Sequence, residues 1–230
     1  MWNGKLKAIT FSFDDGVTQD VRLVEILNKY GLKCTFNLNS GLFGGQNNLE
    51  INGRWVTHNK VHPEEVKALY AGHEVAVHTV NHPSLVALNE EGIVREVEED
   101  RKALEKLVEY PIVGMAYPGG ANDDRVAEII GKNSPILYSR TVKSTHSFTV
   151  QKENLLRYDP TVYYIEDCFE DIVDEFLAIR DPKEPQLLYI WGHSYEMDAE
   201  CISWEKFERI CKKLSGHADV FYGTNQEVLL

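Results

Sequence analysis

The chain has few cysteines, no long apolar run and a shortage of basic residues, and each shortage excludes something. Cys34, Cys168, Cys201 and Cys211 stand at wide, irregular spacings with no C-x-x-C pair, which reads as free thiols in a reducing compartment. No stretch reaches the ~18 apolar residues that a membrane span requires. The opening MWNGKLKAITFSFDDG lacks the basic-then-apolar pattern of an export signal and runs straight into a strand, so the expected location is the cytoplasm. Lys and Arg number 24 against 36 Asp and Glu, a formal charge of −12. Phosphates attract basic patches, so this balance argues against nucleic acid or an anionic membrane as the main partner. There is no internal repeat, no low-complexity tract and no Pro/Gly/Ser linker, and residues 1–230 are expected to form one domain. At 43% hydrophobic and 26% charged, 230 residues suffice to bury a sizeable core without staples.

What is present is alternation. Residues 7–13 (KAITFSF), 33–38, 74–78 (EVAVH), 112–116, 135–139, 186–191 (QLLYIW) and 218–222 read as strands, being β-branched and aromatic with turn residues around them. Between them lie helical patterns: one capped by Thr18 and stopped by Gly31, one opened by Pro63, a long acidic one over 89–109, and others over 122–131, 166–179 and 203–214. Residues 39–54 read as a Gly/Asn-rich loop. Repeated strand–helix alternation implies an α/β fold with a parallel sheet covered by helices, either doubly wound or closed into a (β/α) barrel. Both place the ligand site at the C-terminal ends of the strands.

The polar chemistry falls at those ends. Asp14 and Asp15 close the first strand, His78 ends the third with His82 four residues on, Tyr117-Pro118-Gly119-Gly120 follows the fourth, and His193 follows QLLYIW. Neighbouring residues at a strand end point in opposite directions. One aspartate therefore faces the pocket centre and the other approaches from the side as the chain turns at Gly16. A lone DDG is equally a turn or helix cap. A His-x-x-x-His loop beside an aspartate, however, supplies two nitrogens and one oxygen, the three protein ligands of a catalytic zinc-type site.

TFSFDDG at 10–16 together with HTVNH at 78–82 resembles the first two motifs of the polysaccharide deacetylases, the NodB-homology carbohydrate esterases. The resemblance runs over nearly the whole chain, to the HADVFYGTNQEV segment near its end. It implies a distorted (β/α) barrel of about seven parallel strands. It also implies Asp15, His78 and His82 as ligands of a divalent metal, most often Zn2+ with Co2+ or Ni2+ as alternatives. Asp14 becomes the catalytic base and His193 the catalytic acid. The implied substrate is an N- or O-acetylated sugar or oligosaccharide.

The third motif departs from the family's Arg-x-Pro-Tyr. Ala116 stands in place of the arginine and Gly119 in place of the tyrosine, while Ser194 replaces the aspartate that often follows the acid histidine. Arg140, after the fifth strand, can supply the missing charge to Asp14, and the Gly119 N–H can still donate to an oxyanion. Tyr117, Trp191 and Tyr195, with Trp55, are candidates to stack on a sugar ring, or equally to line the barrel mouth. His58, His62 and His73 read as structural or exposed, and Cys34 as core. Two further functions stay open: hydrolysis of a small non-sugar amide, and sugar binding without catalysis.

Overall fold

The computed structural model describes residues 2–230. The strands are β1 (Lys7–Asp14), β2 (Cys34–Leu38), β3 (Asn48–Ile51), β4 (Arg54–Thr57), β5 (Glu74–Val77), β6 (Gly114–Ala116), β7 (Tyr138–Arg140), β8 (Val162–Tyr163), β9 (Gln186–Gly192) and β10 (Val220–Tyr222). The helices are α1 (Asp20–Lys29), α2 (Pro63–Leu69), α3 (Glu90–Val108), α4 (Asp124–Asn133), α5 (Phe169–Ala178), α6 (Tyr195–Asp198), α7 (Trp204–Leu214) and α8 (Asn225–Leu229). The main sheet runs β7-β6-β5-β2-β1-β9-β8 with every neighbour parallel. One edge of β1 is shared, pairing with β10 over Lys7–Ile9 and with β2 over Phe11–Asp14.

The ring closes through residues 158–163. Tyr158 exchanges backbone bonds with Ser139 and Thr141 at β7, and Thr161 N–H bonds Tyr189 of β9 three residues later. Pro160 lies between the two contacts and has no N–H to donate, so the closing strand is reduced to Val162–Tyr163. That irregularity distorts the barrel, and it explains why β8 carries no strand pattern in the sequence.

Alternation along β1 sets the two faces. Phe11 and Phe13 point outward against Phe207 of α7, at 6.3 and 5.9 Å between ring centroids. Thr10, Ser12 and Asp14 point inward. The interior is a column of paired polar groups. At its base Glu74 accepts from Tyr138 Oη (2.6 Å) and Thr35 Oγ1 (2.7 Å), and Thr10 donates to Asn225 (2.8 Å). In the middle Asn37 Nδ2 donates to Ser12 Oγ at 2.9 Å. At the top stand Asp14, Arg140 and His78. All the column's side chains are buried, so each needs the partner it has.

Two expectations are corrected. Thr18 does not cap the first helix, which starts at Asp20 after Gln19 with no side-chain cap. The supposed loop at 39–54 holds β3 and the turn of an antiparallel hairpin whose second strand, β4, runs on to Thr57; Asn52 (φ 52°) and Gly53 (φ 79°) make the turn. Asn-Gly is the residue pair that a two-residue hairpin turn with both φ positive selects.

Candidate active site and metal centre

β1 delivers two carboxylates to one point because its end is bent. Asp15 adopts φ 83°, with its amide on the Asn37 carbonyl at 3.0 Å, and Gly16 follows at φ 60°. A Cβ on Gly16 would lie 2.8 Å from Leu38 Cδ2, so the turn requires glycine. The bend brings Asp14 Oδ2 and Asp15 Oδ1 each to 3.9 Å from His78 Nε2.

The HTVNH segment is an irregular loop with positive φ at Thr79 (68°) and His82 (57°). Carboxylates of α3 hold it. Asp100 accepts from the His78 N–H (3.1 Å) and the Ser40 N–H (2.7 Å), and Glu96 accepts from both nitrogens of Asn81 at 2.9 Å. Asn39 Nδ2 donates to the carbonyls of His78 and Thr79. So fixed, His82 Nε2 lies 3.6 Å from Asp15 Oδ1.

A divalent cation fits this triad. His78 Nδ1 is 2.9 Å from the Ala116 carbonyl, which can only accept, so the ring proton is on Nδ1 and the Nε2 lone pair points inward. That Nε2 is buried and has no hydrogen-bond partner. Burial pushes the His78 pKa down to about 4, against the pull of Asp14 and Asp15, keeping the ring neutral. Asp15 Oδ1, His78 Nε2 and His82 Nε2 thus converge as one oxygen and two nitrogens.

Arg140 is the group that sequence reasoning placed beside Asp14, and it is there. It is fully buried, and its Nη2 donates to Asp14 Oδ2. Its other nitrogens reach Ser12 Oγ (3.3 Å) and the Thr141 carbonyl (3.0 Å), and the guanidinium lies 4.5 Å over the Trp191 ring. Burial alone would raise the Asp14 pKa, but Arg140, with His78 and His193, holds it below the usual carboxylate value. On Asp15 burial is likewise overcome, by the His58 hydrogen bond and by Lys60, which hold its pKa well below that value.

His193 faces Asp14 from the other side, with Nε2 3.9 Å from Oδ2. Its Nδ1 is 3.1 Å from Glu196 Oε1, and its backbone N–H donates to Glu196 Oε2 at 3.1 Å. The Tyr163 hydroxyl also donates to Glu196. Burial raises the Glu196 pKa to about 8. Beside it, Ser194 Oγ donates to the buried Asp20 at 2.6 Å, as does Tyr70 at 2.7 Å.

Sequence reasoning missed His58, Lys60 and Glu196. His58 Nε2 is 3.2 Å from Asp15 Oδ2, and Lys60 Nζ donates to the Asp15 carbonyl at 2.8 Å. Neither has a local signal, because a hairpin of unpredictable path carries them in. Glu196 did have one: a carboxylate three residues after His193, in the first turn of a helix.

The aromatic candidates divide. Tyr117 is fully buried with its hydroxyl donated to the Leu156 carbonyl (2.7 Å), so it belongs to the wall and has no face for a sugar. Trp191 is covered on one side by the Tyr163 ring (centroids 4.1 Å apart, 15° between planes) and by Arg140, which likewise leaves no stacking face. Tyr195 stacks on His193 at 5.0 Å and meets the His58 edge at 4.9 Å, packing against the site's own rings. Trp55, on the hairpin, is 71% exposed. Gly119 has φ 59°, is exposed, and would carry a Cβ into open space.

A family model described as polysaccharide deacetylase matches residues 3–134. No match is found among curated proteins. Among solved structures, the chain resembles a Streptococcus pyogenes deacetylase, PplD, in complex with acetate, at 23% identity and TM-score 0.53, over 64% of this chain and 61% of that one. It therefore spans less than two thirds of that relative. A protein from Mycobacterium smegmatis described as a polysaccharide deacetylase is 18% identical with TM-score 0.68, covering 98% of this chain and 90% of its own. The peptidoglycan deacetylase PdaC from Bacillus subtilis is 16% identical with TM-score 0.58, over 98% and 90%. These likenesses show a common barrel fold. No helix among the described residues is long and apolar enough to cross a membrane.

Proposed function

The chain belongs to the polysaccharide deacetylase family, and from that premise we propose that it is a metal-dependent hydrolase removing N- or O-linked acetyl groups from a carbohydrate. The observation that carries this reading is the convergence of Asp15, His78 and His82, with an unpartnered buried His78 Nε2, beside an aspartate held between Arg140 and His193. Asp15, His78 and His82 would hold Zn2+, or Co2+ or Ni2+. Such an ion, when bound, lowers the pKa of water and polarises a carbonyl.

The chain's own groups do the proton work. Asp14, kept ionised by Arg140, takes a proton from the attacking water at Oδ2, and Arg140 fixes the direction of that lone pair. His193 gives a proton from Nε2 to the departing amine or alkoxide. Glu196 at Nδ1 holds its ring in the orientation that presents Nε2. The Gly119 N–H is the candidate donor to the oxyanion, a role that needs no side chain. For the sugar, Trp55 offers the free aromatic face. Its hairpin is tied to the loop after α6 by Arg54–Glu200 at 2.7 Å, and Gln19 joins Thr57 to Asp198.

The test is acetate release by zinc- or cobalt-reconstituted protein on chito-oligosaccharides, acetylated xylan and mannan oligosaccharides, and peptidoglycan fragments. Metal-dependent release, absent in Asp15→Ala, is the expected result. Silence across the panel with metal bound would overturn the carbohydrate assignment in favour of a small-amide substrate.

A further inference from the structure

A second cluster of ligand-type side chains lies outside the catalytic centre, on the segment that closes the barrel. His146 follows β7, while Glu166 and Cys168 follow β8, with Cys168 at the N-terminal boundary of α5. His146 Nε2 is 2.5 Å from Glu166 Oε2, Cys168 Sγ is 3.6 Å from that same oxygen, and Sγ is 3.8 Å from that same nitrogen. Three different donor atoms thus enclose one small space.

The geometry points to a second metal site, built from one thiolate, one imidazole and one carboxylate, that takes zinc or a similarly thiophilic dication. Tetrahedral zinc with bonds of about 2.3 Å to sulfur and 2.0–2.2 Å to nitrogen and oxygen has S···N and S···O edges of about 3.6 Å and an N···O edge of about 3.4 Å. The sulfur edges seen here, 3.8 and 3.6 Å, are already within a few tenths of an ångström of those values. Only the N···O edge is short, because His146 and Glu166 share a hydrogen bond, and an ion would replace it after the pair spreads by roughly 1 Å.

The alternative use of these residue types is a Cys–His–Glu nucleophile. Such a relay needs the carboxylate on one ring nitrogen and the thiol on the other. Here both converge on Nε2, as ligands of a common ion do.

The backbone is built to hold the three. His146 sits at φ 49°, with its N–H on the Thr161 carbonyl at 2.9 Å. Glu166 Oε1 accepts from Ser144 Oγ and from the Tyr163 N–H (3.1 Å), which leaves Oε2 directed at His146 and Cys168. An ion here would staple the returning segment to the end of β8. Its ligand Glu166 also holds the backbone of Tyr163, whose hydroxyl reaches Glu196.

Cobalt distinguishes the two sites in the intact 230-residue chain. Asp15, His78 and His82 contain no sulfur, so only the second site can give a thiolate-to-cobalt charge-transfer band in the near ultraviolet. Titration of reduced protein with Co2+, with total metal measured per chain, should give two equivalents and that band. Cys168→Ser should lose the band and one equivalent. His146→Ala should weaken binding by more than the ~10–100-fold typical of outer-shell partners. Asp15→Ala should keep the band while losing the other equivalent. One equivalent without a charge-transfer band would overturn the proposal and leave a hydrogen-bonded His–Glu pair. A band undiminished in Cys168→Ser would also overturn it, assigning the sulfur to another cysteine.

Discussion

Removing the Arg140 guanidinium should damage both folding and turnover, and the two losses should be separable. Arg140 and Asp14 are buried and directly bonded. Two unit charges about 3 Å apart attract by about 5 kcal/mol at an effective dielectric of ~20. That agrees with the ~3–5 kcal/mol lost when one partner of a buried ion pair is removed, since the survivor is left charged and dry. Arg140→Met is therefore expected to destabilise by about 3–5 kcal/mol in urea unfolding and to lower metal-supported acetate release by ~10²-fold or more, because the base is neither ionised nor aimed. Arg140→Lys keeps a charge but not the fork that also reaches Ser12 and Thr141, so it should recover more stability than rate. Asp14→Asn alone should abolish turnover. Combined with Arg140→Met it removes both charges, and the double variant should be more stable than the sum of single losses by at least ~2 kcal/mol. Strict additivity, or an Arg140→Met enzyme within twofold of wild type, would refute the ion pair as the device that readies Asp14.

Three further outcomes follow from the same geometry. Glu196→Ala should lower turnover ~10–100-fold by removing the acceptor that orients His193 through Nδ1, with larger losses on amides than on esters because an amine leaves poorly unprotonated; equal losses on both would count against it. Asp20 has its pKa raised by burial to about 7, so its contribution to stability is full below about 4 and is lost as pH rises through about 7. Asp20→Asn should flatten the pH dependence of unfolding free energy by up to ~1.4 kcal/mol per pH unit in that window, and an unchanged slope would exclude Asp20. In a Cys168→Ser background, zinc at about 100 times its dissociation constant should stabilise the fold by about 2.7 kcal/mol, or roughly 5–11 °C in Tm, and Asp15→Ala should lose that gain on calorimetry.

Much of this protein was written in local pattern. Strand–helix alternation, polar–apolar alternation in TFSFD, and histidines and aspartates at strand ends depend only on neighbouring residues. They indicated a parallel α/β fold, doubly wound or barrel, with its chemistry at the C-terminal ends of the strands and with His78 and His82 beside an aspartate; the family resemblance chose the barrel and Asp15. The pairing of Arg140 with Asp14 was reachable because both end strands of one barrel. Other features needed the folded chain. Pro160 leaves β8 as two residues without a pattern, and His58 and Lys60 reach Asp15 only because the β3–β4 hairpin folds back over the barrel mouth. Tyr117 and Trp191 look like sugar platforms in sequence, and become wall residues once Leu156, Tyr163 and Arg140 cover them. The gathering of His146, Glu166 and Cys168 likewise depends on how the closing segment returns. Sequence by itself determined which residue types end each strand, because strand periodicity is local. Which faces stay open, and which distant donors share a centre, only the tertiary structure decided, because that depends on how barrel closure packs segments far apart in the chain.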